Sequence, residues 1–153
     1  MKAREAHREV IKHHKKEARS LYDSDFYAWT WDQARKLRAG QTIDRELVAE
    51  ELEDLGRKQQ QQLETRLDLL LTHMLKCEFQ PDKHTRSWDL TIKEQRRRIQ
   101  RMLAQMPSLK AVLDESIQEA YAIAVLHASR ETEMLEDDFS SECPWTSAEV
   151  LGE

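Results

Sequence analysis

Four acidic side chains and one histidine of the central segment are the residues best suited to chemistry. The acids are Glu50, Glu51, Glu53 and Asp54, and the histidine is His73. Carboxylates and an imidazole can hold a metal ion or transfer protons. On an ideal helix, Glu53 and His73 fall on opposite edges of the apolar stripe about five turns apart, so they cannot share a metal ion on that helix. The paired motifs ExxH and HExxH are absent from the sequence.

Other catalytic or cofactor motifs are not recognisable. The sequence has no GxSxG turn, no glycine-rich phosphate loop and no recognisable Cys–His pair, and it contains only three glycines. We therefore assign no catalytic residue, no metal ligand and no cofactor. An enzyme with an unrecognised metal or acid–base site around Glu50, Glu53, His73 and Arg86 stays open as an alternative.

A cluster of basic residues lies on a segment that also carries Trp88. The cluster comprises Arg86, Lys93, Arg96, Arg97, Arg98 and Arg101. Clustered guanidinium groups are suited to phosphate contact, which would indicate a nucleic-acid-associated protein. However, the three consecutive arginines point about 100° apart on a helix, so they cannot all face one phosphate backbone. Pairing with the acidic C-terminal segment and contact with a partner protein are the two other interpretations.

Aromatic residues are concentrated on one short segment. They are Tyr22, Phe26, Tyr27, Trp29 and Trp31. A helical stripe of Phe26, Thr30, Ala34 and Leu37 is predicted to face the core. Trp29 lies off this stripe and is expected to face outward, where a Trp could anchor a protein partner.

The elements that position these residues are predicted to be helices. Three Gly and three Pro in 153 residues favour long helices with short connections. A long helix over 44–79 carries an apolar stripe of Val48, Leu52, Leu55, Leu63, Leu67, Leu70, Leu71 and Met74. Further helices are predicted over 24–39, 87–106 and 109–133, with Ser24 and Ser108 as N-caps, Gly40 after the first of them, and a last turn capped by Thr146 and Glu149. The expected fold is all-α, a helical bundle built around the long helix, with four main helices plus terminal pieces.

Polar residues interrupt the apolar stripes. Gln59 and Arg66 fall within the stripe of the long helix, His73 falls at its edge, and Gln95 falls within the stripe of the next helix. A buried polar group without a hydrogen-bond partner costs about 1–3 kcal/mol, so these groups need partners. We predict that Gln59, Arg66 and His73 line a seam, with Glu53, Glu94 or a second chain supplying the acceptors.

Charge and cysteine content narrow the class of protein. The net charge is −5, and residues 107–153 carry two basic residues against eleven acidic ones. No apolar stretch reaches the 18 or so residues of a membrane span, and the basic N-terminus lacks the apolar core of a secretory signal. The two cysteines are far apart, which favours reduced thiols in a cytoplasmic protein. We predict a basic N-terminal extension over 1–17, expected to be weakly ordered, and a single helical domain over 18–153.

Several motifs in order carry a resemblance to a known family. They read YDSDFYAWTWDQARKLRAG, ELEDLGRKQQQQLETRLDLLLTHMLK, RSWDLTIKEQRRRI, MPSLK and ECPWTSAEVL. Over residues 18–151 the chain resembles the bacterial domain-of-unknown-function family 29. The resemblance implies a small all-helical cytoplasmic protein and supplies no catalytic residue. Where related sequences have an aromatic residue after the HLLK-like run, this chain has Cys77.

The function that the sequence favours is protein–protein interaction without catalysis. The expected partner is another protein or a second copy of the chain, engaged through the aromatic helix and the arginine-bearing helix. The candidate partner or seam residues are Trp29, Glu53, Gln59, Arg66, His73, Arg86, Trp88, Glu94 and Arg97. Nucleic acid bound by the basic helix over 86–101 is the less favoured partner, and no membrane contact is expected.

Overall fold

The computed structural model describes residues 9, 10, 12, 13, 16 and 19–153. Much of the predicted N-terminal extension, residues 1–17, lies outside the described residues. The described part is all-α, as predicted, with five α-helices after a short helical stretch over 19–24: α1 (Phe26–Arg38), α2 (Arg45–Phe79), α3 (Arg86–Gln105), α4 (Leu113–Thr132) and α5 (Ser147–Leu151). Three 3₁₀ turns connect them, Pro81–Lys83, Pro107–Val112 and Glu136–Asp138.

The chain divides into two compact units, Met1–Gly56 and Arg57–Glu153. Helix α2 begins in the first unit and continues into the second. The single domain over 18–153 stays a prediction.

Helix α1 begins one residue later than the sequence indicates. Its N-cap is Asp25, whose carboxylate accepts a hydrogen bond from the Ala28 amide at 2.9 Å. Ser24, the predicted cap, belongs to the preceding helical stretch and donates its hydroxyl to the Ser20 carbonyl. Gly40 follows the C-terminus with φ of 66°, a left-handed conformation that glycine adopts without strain, as predicted.

The first unit has a small core. Trp29 is 2% exposed and lies against Tyr22 edge to face, with ring centroids 4.9 Å apart. Leu47 and Gln33 are buried as well, and the Gln33 side-chain oxygen accepts from the Asp44 amide at 3.0 Å. Asp44 in turn caps α2 by accepting from the Leu47 amide at 3.2 Å, so the start of α2 is tied to α1.

The core of the second unit is formed along α2, α3 and α4. It contains Leu63, Leu67, Leu70, Leu71, Leu75, Ile99, Met102, Leu103, Leu109, Leu113, Ile117, Ala120, Tyr121, Ala124, Ala128, Phe139, Val150 and Leu151. Leu52 and Leu55 were predicted to face a core but are exposed, which corrects the predicted stripe. Leu47 is the buried leucine of α2 in the first unit, and the buried leucines of α2 in the second unit begin at Leu63, where they share a core with residues of α3 and α4.

The connection from α3 to α4 has a different conformation from the predicted one. Residues Pro107–Val112 form a 3₁₀ segment, whereas an α-helix was predicted from Leu109. The amide of Leu109 donates to the Met106 carbonyl at 3.0 Å, an i to i+3 bond, while the Leu109 side chain is buried. The predicted cap at Ser108 is therefore wrong.

The C-terminal helix α5 is held against α3 by hydrogen bonds. The predicted capping box of Thr146 and Glu149 is present. Arg96 donates to the carbonyls of Val150 at 2.9 Å and Glu149 at 3.0 Å, which satisfies acceptors at the end of α5. Gly152 closes the helix with φ of 74°. Within the described residues, no helix has both the length and the apolar character needed to cross a membrane.

Candidate functional site

An aromatic pair occupies the solvent side of α1. Tyr27 and Trp31 are one helical turn apart, are 73% and 60% exposed, and their ring centroids lie 6.3 Å apart. The buried residues of the same helix, Trp29 and Gln33, lie on the opposite side. Two large aromatic rings are therefore held side by side in solvent by a helix whose other face is packed.

Two arginines share this side of α1, since Arg35 and Arg38 follow Trp31 at spacings of four and seven residues. Arg35 donates to the Asp32 carboxylate at 2.8 Å, and Lys36 lies 2.6 Å from the same group. The hydrogen bond from Lys36, followed by that from Arg35, lowers the pKa of Asp32. Arg38 is exposed and forms no ion pair with the described residues. We call Tyr27, Trp31, Arg35 and Arg38 the aromatic–arginine face.

Trp29 does not face outward, and that prediction is wrong. It is 2% exposed, stacks on Phe26 and meets Tyr22 edge to face, while Phe26 and Leu37 of the predicted core stripe are exposed. Its indole N–H is buried and has no acceptor among the described residues. The exposed tryptophan of this helix is Trp31, two residues further along the chain.

Tyr22 joins the aromatic cluster to the acidic start of α2. Its hydroxyl donates to the Glu51 carboxylate at 2.5 Å. This hydrogen bond, with smaller contributions from burial and nearby acids, raises the pKa of Tyr22 to about 12. Glu50 and Glu53, candidates for a metal or acid–base site, are exposed. They belong to the first unit, whereas His73 belongs to the second.

The predicted seam residues of the second unit have different surroundings. The ring of His73 is half-buried and its Nδ1 donates to the Leu69 carbonyl at 2.9 Å, so the ring is bonded to the preceding turn of its own helix. Gln59 and Arg66 are half-buried, and the Arg66 Nε is buried without an acceptor among the described residues. Glu94, a predicted acceptor, is exposed and instead accepts from Arg98 of the same helix at 2.8 Å.

Gln95 is buried, as its place in the stripe predicts. It is 6% exposed, and its side-chain oxygen lacks a donor among the described residues. Together with the Arg66 Nε, it leaves two polar atoms of the second unit without the partners that the seam hypothesis requires. The seam stays a prediction.

A buried lysine lies at the C-terminal end of α2. Lys76 is 8% exposed, and its ammonium group lies 2.5 Å from the Glu131 carboxylate of α4. The same group lies 4.4 Å from the centroid of the Trp88 ring, a cation–π contact. Gln80, which directly follows α2, adds a second contact with α4, because its side chain donates to the Thr132 carbonyl at 3.1 Å. Trp88 is thus a packing partner of a buried cation rather than an exposed anchor.

A cysteine, a histidine and an aspartate converge beside Lys76. The Sγ of Cys77, a ring nitrogen of His84 and a carboxylate oxygen of Asp89 all lie within 4.8 Å of one another. The Nε2 of His84 is 2.8 Å from the Asp89 carboxylate, and its ring stacks on Trp88 with centroids 6.1 Å apart. Burial, then the charge of Asp89, raises the pKa of the Cys77 thiol. No Cys–His pair was predicted, and only the spacings Cys-x₆-His-x₄-Asp could have indicated one.

The basic residues of α3 divide into two sets. Arg96 and Arg98 are engaged within the second unit, by α5 and by Glu94 respectively. An exposed stripe remains, formed by Arg86, Lys93, Arg97 and Arg101. These four follow one another at spacings of seven, four and four residues and so share one side of the helix. Beside them lies an open groove of about 400 Å³, lined in part by Lys93, Arg97, Gln100 and Gly152.

Comparison with known proteins gives a family and no activity. No curated protein and no solved structure matches the chain. The family described as domain of unknown function DUF29 matches residues 21–153, nearly the whole chain. This match agrees with the resemblance seen in the sequence and with the all-helical fold. The chain therefore belongs to the DUF29 family.

Proposed function

We propose that this chain is a protein-binding module that acts through the aromatic–arginine face of α1. The observation that carries the proposal is the exposed Tyr27–Trp31 pair, 73% and 60% exposed on the side of α1 opposite the buried Trp29. Trp, Tyr and Arg are the residue types that dominate the energetics of protein interfaces. No reaction is assigned to the chain, and its two free thiols, Cys77 and Cys143, favour the reducing cytoplasm.

The geometry of the face favours binding at low entropic cost. The Tyr27 and Trp31 rings contact each other at an interplanar angle of 69°, so each restricts the motion of the other before a partner arrives. Aromatic side chains also have few rotatable bonds and lose little freedom on binding. The neighbouring Arg35 and Arg38 supply positive charge, so the matching surface must combine an apolar group with carboxylates.

The partner we propose is a second copy of this chain, bound through its Leu135–Asp138 turn. Leu135 is 72% exposed, and Glu136 and Asp137 beside it are exposed acids. The turn offers one apolar side chain flanked by negative charge, which complements the aromatic–arginine face. Because the two surfaces differ, the contact is head to tail, and repeated contacts form a ring or an open chain of copies.

Sedimentation velocity over a concentration series tests this proposal. We expect wild-type association that weakens as salt rises, because charge pairing contributes to the contact. Trp31→Ala should weaken association at least about thirtyfold, the effect of losing an interface residue worth about 2 kcal/mol. Leu90→Ala is the matched control, since Leu90 is an apolar side chain 54% exposed on α3. It should associate like the wild type.

A charge swap tests the pairing itself. Arg38→Glu and Asp137→Lys should each prevent association, because each places like charges across the contact. Mixing the two variants should restore association, since each copy then meets a complementary partner. A wild-type monomer at every concentration would contradict the proposal. So would association that survives Trp31→Ala, or a mixture of variants that behaves no differently from either alone.

Nucleic-acid binding is a second candidate, supported by the exposed stripe of α3. One side of α3 carries Arg86, Lys93, Arg97 and Arg101. These four can face one phosphate backbone, although the three consecutive arginines of the helix cannot. Fluorescence anisotropy with labelled duplex DNA across a salt series tests it. Phosphate-led binding must weaken as salt rises, with a slope that falls by about one for each phosphate contact removed, as in Arg97→Ala. Absence of binding at low salt would rule out this candidate.

A further inference from the structure

We propose that Cys77, His84 and Asp89 form a site for a divalent transition metal, with zinc the best-suited ion. Their ligand atoms all lie within 4.8 Å of one another. In a tetrahedral zinc site, with metal–ligand distances of about 2.0–2.3 Å, the ligand atoms are separated by roughly 3.3–3.7 Å. Small side-chain rotations are therefore enough to close these three groups around an ion.

The chemistry of the donors selects the class of metal. A thiolate and an imidazole are the ligands typical of zinc, and a carboxylate is a common third one. Magnesium and calcium prefer oxygen ligands alone, so the sulfur of Cys77 disfavours them. Three protein ligands leave the fourth tetrahedral position for water or for a group supplied by a partner.

The surroundings hold the ligands in place. The ring of Trp88 stacks on the His84 imidazole, with centroids 6.1 Å apart, and the Asp89 carboxylate already lies 2.8 Å from the Nε2 of the same ring. Trp88 is itself fixed by the ammonium group of Lys76 at 4.4 Å. Trp88 and Lys76 therefore form an outer layer that orients the His84 ring, as groups around metal ligands commonly do.

The local charges also balance when the metal is bound. A Cys77 thiolate and the Asp89 carboxylate together carry two negative charges, which a divalent ion neutralises. The nearby Lys76 is already neutralised by Glu131 at 2.5 Å. The ligands come from the last turn of α2, from the residue after the Pro81–Lys83 turn and from the first turn of α3. A bound ion would therefore fasten the connection between these two helices.

Cobalt(II) and zinc(II) titrations of protein purified without a metal-affinity tag test the site. Cobalt replaces zinc at such sites, and a thiolate ligand gives it a charge-transfer absorption band that nitrogen and oxygen ligands do not. We expect one cobalt ion per chain, with that band, and displacement of the cobalt by zinc. A cobalt complex that lacks the band would overturn the proposal.

Variants identify the ligands. Cys77→Ser should abolish the band, and His84→Ala should weaken zinc binding by more than the roughly 10–100-fold typical of losing an outer partner. Cys143→Ser is the matched control, since Cys143 is the other free, half-buried thiol, and it should leave the band and the affinity unchanged. Far-UV circular dichroism of each metal-free variant confirms that it is folded. A band that persists in Cys77→Ser, or that disappears in Cys143→Ser, would refute the assignment.

Discussion

The buried ion pair between Lys76 and Glu131 predicts an asymmetry between two substitutions. Glu131→Ala removes the carboxylate and leaves a charged lysine that is only 8% exposed. Lys76→Met removes the buried charge instead, keeps a flexible chain of similar length over the Trp88 ring, and leaves Glu131 at the surface. We expect the first substitution to destabilise the protein clearly more than the second, although both remove the same ion pair.

The magnitudes follow from the exposure of the two partners. Breaking a fully buried pair by removing one partner costs about 3–5 kcal/mol, because the remaining charge stays buried and unpaired. The Glu131 side chain is 48% exposed, so water near it can solvate part of the Lys76 charge after the substitution. We therefore expect a loss of about 2 kcal/mol for Glu131→Ala. For Lys76→Met we expect a loss below about 1 kcal/mol, because the carboxylate is free to be hydrated.

Urea unfolding followed by far-UV circular dichroism measures the difference, with equal m-values required for the comparison. A loss of about 2 kcal/mol corresponds to a fall of roughly 4–8 °C in Tm for a chain of this size. Glu119→Ala is the matched control, because Glu119 is an exposed acid on the same helix and should change stability little. Equal losses for both substitutions, or a larger loss for Lys76→Met, would refute the reasoning that the unpaired lysine carries the cost.

Two further predictions concern the pKa of Tyr22 and two glycines with positive φ. Since the Glu51 hydrogen bond raises the pKa of Tyr22 from 10.0 to about 12, the stability it contributes is complete below pH 10 and is lost as the pH rises to 12. Absorbance titration of the wild type against Tyr22→Phe checks this, and a Tyr22 that ionises near pH 10 would contradict it. Gly152→Ala and Gly40→Ala should each cost about 1–2 kcal/mol in urea unfolding, because both glycines have positive φ. Gly152→Ala should cost more, since its Cβ would lie 3.0 Å from the Arg96 guanidinium whereas Gly40 has open space, and equal costs would refute a role for Arg96.

The features that depend on helical periodicity and on capping residues could be predicted from the sequence. The all-α class, the bounds of α2 within one residue, the turn at Gly40 and the box of Thr146 and Glu149 all follow from periodicity and capping. The burial of Gln95 was also predictable, because its position in the stripe outweighs its polarity. These features depend on residues close to one another in the chain.

Which side of α1 is buried could not be predicted from periodicity and capping. Four aromatic residues in six positions give a helix more than one apolar side, so periodicity does not choose between Trp29 and Phe26. The choice depends on Tyr22, which packs on Trp29, and on Gln33, which is buried because it accepts a hydrogen bond from the Asp44 amide. Gln33 lies outside the predicted stripe of this helix, so the stripe gave no reason to expect its burial.

The cluster of Cys77, His84 and Asp89 could not be predicted from the sequence for a different reason. Cys77 lies in α2, Asp89 lies in α3, and His84 lies in the connection between them, so their approach depends on how the Pro81–Lys83 turn redirects the chain. Helical periodicity ends at Phe79, so it contains no information on this turn. The predicted metal or acid–base alternative relied on Glu50, Glu53 and His73, although on an ideal helix His73 lies about five turns from Glu53.

The two proposals rest on different residues of the chain, and this makes them separable. The aromatic–arginine face belongs to the unit that ends at Gly56, whereas the Leu135–Asp138 turn that it is proposed to bind and the metal ligands both belong to the unit that begins at Arg57. Substitutions of residues that share no partner normally act independently. If the face and the cluster act independently, Trp31→Ala should leave the cobalt spectrum unchanged, and His84→Ala should leave sedimentation unchanged. An effect of His84→Ala on association would instead mean that the metal-binding cluster contributes to the contact between copies.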